Sequence, residues 1–65
     1  MMRWVNAIDE LPDDDKSVIT KWDSCGVQQC AYCFKYNIEA KLKLRVVKNV
    51  QWLDESKNKK DNGDN

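Results

Sequence analysis

Apolar and polar residues alternate along most of this chain, and short polar stretches interrupt the alternation. Ser17 to Trp22 places Val18, Thr20 and Trp22 on one side of an extended strand and Ile19 on the other. Both sides carry an apolar residue, which predicts a central strand or one covered on both faces. Asp23, Ser24, Cys25 and Gly26 mark a turn, where Gly26 can take the positive φ of a tight hairpin. Val27 to Tyr36 predicts a second strand, with Cys30, Tyr32, Phe34 and Tyr36 on one face and Gln29, Ala31, Cys33 and Lys35 on the other. After a connection at Asn37 to Ala40, Lys41 to Val47 shows the clearest period of two. Leu42, Leu44 and Val46 alternate there with Lys41, Lys43 and Arg45. Lysine and leucine also favour helix, but a helix would scatter these residues around its circumference, so the pattern predicts a third strand.

The ends of the chain are less periodic. Asn6 can cap a short helical turn, with Asp9 three positions on as a weak capping-box partner, and Pro12 ends the turn by disfavouring helix at Leu11. Asp13 to Lys16 is a polar loop. Lys48-Asn49 predicts a turn or bulge before a last short strand, Val50 to Leu53. Asp54 to Asn65 holds no apolar residue and predicts a disordered polar tail. The expected domain is residues 1–53, a mostly β, small α+β fold. It has a short N-terminal helical turn packed on a three- to four-stranded antiparallel sheet, Trp4 and Ile8 over the aromatic face of the second strand, and open strand edges. The expected core is Trp4, Ile8, Leu11, Val18, Trp22, Tyr32, Phe34, Leu42, Leu44, Val46, Val50 and Trp52.

With 65 residues the chain is near the size where a single core is marginal, a weak argument for a stabilising partner. Eleven basic and eleven acidic residues cancel, so no global charge steers it to nucleic acid or an anionic membrane. No apolar run spans a bilayer and the start lacks a signal-peptide stretch, which places the chain in the cytoplasm, the host cell cytosol. Three cysteines suit that compartment.

Four constellations could carry chemistry. Cys25, Cys30 and Cys33 offer three thiolates in a C-x4-C-x2-C spacing, a candidate metal-stabilised module. A fourth cysteine and any histidine are missing, and Cys30 and Cys33 fall on opposite faces of a regular strand. Asp9, Glu10, Asp13, Asp14 and Asp15 put five carboxylates within seven positions, either a solvated turn or a patch for a basic partner. Lys41, Lys43, Arg45 and Lys48 form a basic stripe that beside Tyr32, Phe34 and Tyr36 could hold single-stranded nucleic acid, although those aromatics are better used as core. Of Trp4, Trp22 and Trp52, Trp22 between Lys21 and Asp23 is the expected exposed interface anchor. With no histidine, no phosphate loop and no nucleophile–base pair, neither an enzyme nor a cofactor is expected.

Trp4-Val5-Asn6-Ala7-Ile8-Asp9-Glu10-Leu11-Pro12 and Val50-Gln51-Trp52-Leu53 anchor the two ends. In these segments the chain resembles the short phage and prophage proteins called domain of unknown function five-fifty-one. Cys25, Cys30, Cys33 and the polar ending depart from that pattern. The resemblance implies a mobile-element protein and carries over no catalytic residue. The expected function is therefore a small, non-catalytic phage- or prophage-encoded protein that binds and blocks a host protein, an anti-CRISPR type of inhibitor being its sharpest form. The expected partner surface is the acidic loop with Trp22, and a homodimer through a sheet edge is compatible with it. The alternatives are a nucleic-acid-binding accessory protein and the cysteine–metal module.

Overall fold

The computed structural model describes residues 2–55. Four strands and one helix follow in the order β1 (Arg3–Asn6), β2 (Val18–Ser24), β3 (Val27–Cys33), α1 (Lys35–Leu42) and β4 (Val47–Asp54). The strands form one antiparallel sheet in the order β1-β4-β2-β3. The helix and the Ala7–Lys16 segment contribute to one side of that sheet. The predicted tail begins inside β4, since Asp54 still pairs with Arg3; residues 56–65 lie outside the described part.

The β2–β3 hairpin forms where its sequence predicts. Cys25 and Gly26 take φ of 52° and 82°, the positive values that a two-residue hairpin turn needs at both central positions. The register then runs without a break from Ser24↔Val27 to Val18↔Cys33. Lys48-Asn49 also behaves as expected. The β2–β4 register shifts between Lys21↔Gln51 and Asp23↔Lys48, so β4 carries one extra residue there. Asn49 has φ 56° and donates from Nδ2 to Oδ2 of Asp23 at 2.8 Å. Asparagine tolerates this left-handed geometry better than most residues.

Two expected elements are corrected. The opening residues Arg3–Asn6 are a strand, paired with β4 as Trp4↔Leu53 and Val5↔Trp52. The expected helical turn is reduced to a hydrogen-bonded turn in which the carbonyl of Asn6 accepts from the N–H of Asp9 (2.9 Å) and Glu10 (3.1 Å). The third predicted strand, Lys41–Val47, does not form. The helix Lys35–Leu42 takes the end of the predicted second strand (Lys35, Tyr36), the supposed connection Asn37–Ala40 and the first two residues of the predicted third strand; a turn takes residues 43–46, and Val47 opens β4. Local propensity prevails here over the period of two: Glu39, Ala40, Lys41 and Leu42 are all strong helix formers. Asn37 Oδ1 accepts from the N–H of Phe34 at 3.0 Å, satisfying one group at the helix start. Ile38, fully buried, fastens the helix to the sheet.

The core is correspondingly different from the expected one. It consists of Val5, Ala7, Cys33, Ile38, Val50 and Trp52, flanked by Leu11, Val18, Trp22 and Val47. Thr20 is also buried, and its hydroxyl donates to the carbonyl of Val18 at 3.1 Å. Trp4, Ile8, Tyr32, Phe34, Leu42, Leu44 and Val46 are exposed instead. The reason is geometric. The helix that follows β3 packs on the side of Cys33, so the alternation along β3 sends Tyr32 to the opposite side.

Candidate interaction surface

The two faces of the sheet have different fates. Cross-strand partners share a face, so Val5, Trp52, Thr20, Val18 and Cys33 lie on the side of the helix. The other side begins with Trp4↔Leu53 and Ile19↔Tyr32. The β2–β4 register, continued one residue beyond Thr20↔Trp52, sets Ile19 across from Leu53. Trp4, Leu53, Ile19 and Tyr32 thus form one apolar row that crosses all four strands on the face without the helix. Trp4 and Tyr32, at its two ends, are 41% and 70% exposed. The neighbouring row is polar: Asn6↔Gln51, Gln51↔Lys21 and Lys21↔Cys30.

Lys21 belongs to this face and sets its ammonium 4.1 Å from the centroid of the Trp4 ring. Such a contact holds the indole in place while leaving its outer surface accessible. Beyond the row, Phe34 and Tyr36 stack at 5.8 Å with an interplanar angle of 4°, and both are exposed. Large apolar side chains gathered at a surface mark binding sites more often than isolated ones do.

The sequence-predicted sites are distributed differently. Trp22 is half-buried against the core, with the ammonium of Lys41 4.3 Å above its ring. Its expected exposure is corrected, and Trp4 is the more exposed tryptophan. The basic stripe loses its common strand: Lys41 is in the last turn of α1, Lys43 caps that helix, Arg45 lies in the following turn and Lys48 is on β4. In the acidic segment, Asp13 pairs with Lys16 at 3.9 Å, Asp14 with Lys35 at 3.1 Å and Glu10 with Arg3 at 3.8 Å. Arg3 also reaches Asp54 at 3.6 Å. Asp9 and Asp15 are exposed beside them. The Asp14 carboxylate, by hydrogen bond and charge, raises Lys35 above its ordinary value.

The three thiols do not converge. Cys33 is buried under the helix, Cys30 is exposed on the opposite face, and Cys25 is in the hairpin turn. Among the described residues no three His, Cys, Asp or Glu groups gather into a metal-binding cluster. Asp23, the carboxylate nearest Cys25 in sequence, is bonded to Asn49. Among the described residues no helix is long and apolar enough to cross a membrane.

No protein-family model, no curated protein and no solved structure matches this chain. The resemblance drawn from Trp4–Pro12 and Val50–Leu53 rests on those residues alone. The structure does bring the two segments together through the β1–β4 pairing.

The sequence pattern does not reveal the apolar row, because it places both Trp4 and Tyr32 in the expected core. One signal for it was present: Ile19 falls on the opposite side from Val18, Thr20 and Trp22 in the period of β2.

Proposed function

We propose that this chain is a non-catalytic binding module whose partner is another protein, engaged through the helix-free face of the sheet. The observation that carries this reading is the row Trp4–Leu53–Ile19–Tyr32, with aromatic ends exposed on a rigid sheet. Aromatic side chains dominate the energetics of protein interfaces, and a sheet presents them at little further cost in conformational entropy. The polar neighbours Asn6, Gln51 and Lys21 supply the rim such an interface uses. A block of a host protein by a mobile-element product, in the cytosol, is the narrower form, and it draws on the sequence resemblance alone. The acidic segment is the competing contact within the same reading; three of its five carboxylates already face cations of the chain itself.

The test is capture of partners from lysate of the cells that encode the chain, using the tagged protein with Tyr32→Ala, with Trp4→Ala, and with Asp13, Asp14 and Asp15 all reversed to lysine. A stoichiometric protein lost with either face substitution and kept with the acidic reversal supports the reading. Loss only with the reversal moves the contact to the acidic segment. Capture of nucleic acid alone, released steeply by salt, overturns the reading.

A further inference from the structure

Among the described residues nothing pairs with the outer edge of β3, and this edge points to a symmetric partner. We infer that this protein forms a two-fold dimer in which β3 pairs antiparallel with β3 of a second copy, centred on Cys30. This concerns the edge of the sheet and stands independently of the face contact proposed above.

The two edges of the sheet are unequal. β1 is four residues long and carries Arg3. β3 is seven residues, Val27-Gln28-Gln29-Cys30-Ala31-Tyr32-Cys33, without a charge, a proline or a glycine, and its pairing with β2 has no bulge. Natural edges that stay unpaired are shortened, charged, interrupted or covered. The β3 edge has none of the first three devices, and its residues are exposed from Val27 to Tyr32.

The hydrogen-bonding phase of the hairpin selects the register. In a two-residue hairpin the residues that flank the turn, here Ser24 and Val27, exchange hydrogen bonds. The alternation then directs the backbone groups of Val27, Gln29, Ala31 and Cys33 toward β2, and those of Gln28, Cys30 and Tyr32 outward. Antiparallel pairing with a second copy joins outward residues to outward residues. Centring it on Cys30 is the arrangement that uses all three: Cys30 faces Cys30 of the second copy, and Gln28 faces Tyr32 in both directions. About six backbone hydrogen bonds result. Centring on Gln28 or Tyr32 leaves outward groups unpaired.

The side chains agree with this register. No charge meets a like charge across the new pair. Val27, exposed at one end of β3, comes opposite Cys33 of the second copy and beside the exposed Phe34. Each apolar row ends at Tyr32 facing Gln28 of the second copy, on the same face of the joined sheet. A hydrogen-bonded antiparallel pair sets its Cα atoms about 5.5 Å apart, inside the range of roughly 4.4–6.8 Å that a disulfide can span. The exposed Cys30 thiols therefore report the register.

The experiment measures the mass of the full chain by sedimentation equilibrium under reducing conditions over a wide concentration range. The expected result is a monomer–dimer equilibrium. Cys30→Pro removes an outward N–H and leaves the β2–β3 ladder intact, and Gln28→Lys adds a charge at the edge. Each is expected to raise the dimer dissociation constant about tenfold or more while circular dichroism stays unchanged. In a Cys25→Ser chain, diamide is expected to take two electrons and two protons from a pair of Cys30 thiols, giving an intermolecular Cys30–Cys30 disulfide found by peptide mass mapping. A monomer at every concentration overturns the inference. So does a dimer unaffected by Gln28→Lys, or a folded dimer that yields no Cys30–Cys30 cross-link.

Discussion

The indole N–H of Trp52 donates to the backbone carbonyl of Glu10 at 2.9 Å, joining positions 42 residues apart. Together with Val5↔Trp52 this fastens the two ends of the described chain to each other. Leu11 packs against the core beside it and Pro12 is buried. Trp52→Phe keeps an aromatic ring in the core and leaves the Glu10 carbonyl without its donor. The expected cost is about 1–3 kcal/mol, seen as a lower urea midpoint at an unchanged slope. An unchanged midpoint would mean that water replaces the indole N–H without loss.

Ile38 alone fixes most of the helix, because it is the helix residue that enters the core. Ile38→Val should cost about 0.5–1.5 kcal/mol and Ile38→Ala about 2–5 kcal/mol. At roughly 0.05–0.15 kcal/mol per residue, a domain of this size has a total stability comparable to the larger loss. Thermal melts followed by circular dichroism should therefore show Ile38→Ala partly unfolded at room temperature. A full native signal with an unshifted melt would remove the helix from the cooperative unit.

These two residues also show what was legible in the sequence. The Cys25-Gly26 hairpin and the irregularity at Lys48-Asn49 follow from turn chemistry and local alternation, whereas the pairing of β1 and β2 with β4 does not. The helix did not, because the Lys–Leu alternation from Lys41 matches a strand while the helix-forming run starts earlier, at Lys35. Once that helix follows β3 it selects which face of β3 is buried, and the choice rests on the entry of Ile38 into the core that holds Cys33, Val50 and Trp52. Nothing local to Tyr32 encodes it. The candidate surface was hidden for the same reason: its members are the aromatics that any core estimate claims first.

The hairpin turn separates backbone strain from contact. A Cβ at Gly26 would meet nothing within 4 Å, yet its φ is 82°. Gly26→Ala should therefore cost about 1–2 kcal/mol from backbone conformation alone. Cys25, at φ 52°, is the opposite case: Cys25→Asn should raise stability, because asparagine accepts this geometry more readily. Chemical denaturation of both variants checks the pair. Equal, small effects of the two would show that the turn relaxes to another type.

Lys35 gives a pH signature. Its ammonium is favoured by the hydrogen bond to Asp14 and by that carboxylate's charge, with smaller help from Glu39 and Asp13, against a modest opposing cost of burial. A pKa raised on folding means that the contribution is complete below the ordinary lysine value of 10.5 and is lost as the pH climbs through the raised one. Asp14→Asn should bring the Lys35 titration, followed by NMR at its side-chain carbon, back toward the ordinary value. It should also erase the part of the alkaline stability loss that depends on this pair. Both groups are solvent-facing, so the effect on stability is small. A titration that does not move would assign the shift to another neighbour.

Asn49 combines a left-handed backbone with a side-chain bond, and the two can be told apart. Asn49→Gly keeps φ 56° available and removes the bond to Asp23. Asp23→Ala removes the same bond from the other side, so the two losses should be similar, about 0.5–1.5 kcal/mol each, and should not add in the double variant. Asn49→Val loses the bond and also places a β-branched residue at positive φ, which adds about 1–2 kcal/mol. Denaturation midpoints of the four variants give this order directly. If Asn49→Val matches Asn49→Gly, β4 sheds the extra residue without penalty. That would slide Lys48 and Val47 one position along β2, turning Val47 away from the core it now flanks. The bulge is thus expected to be the feature that holds the lower half of β4 in register.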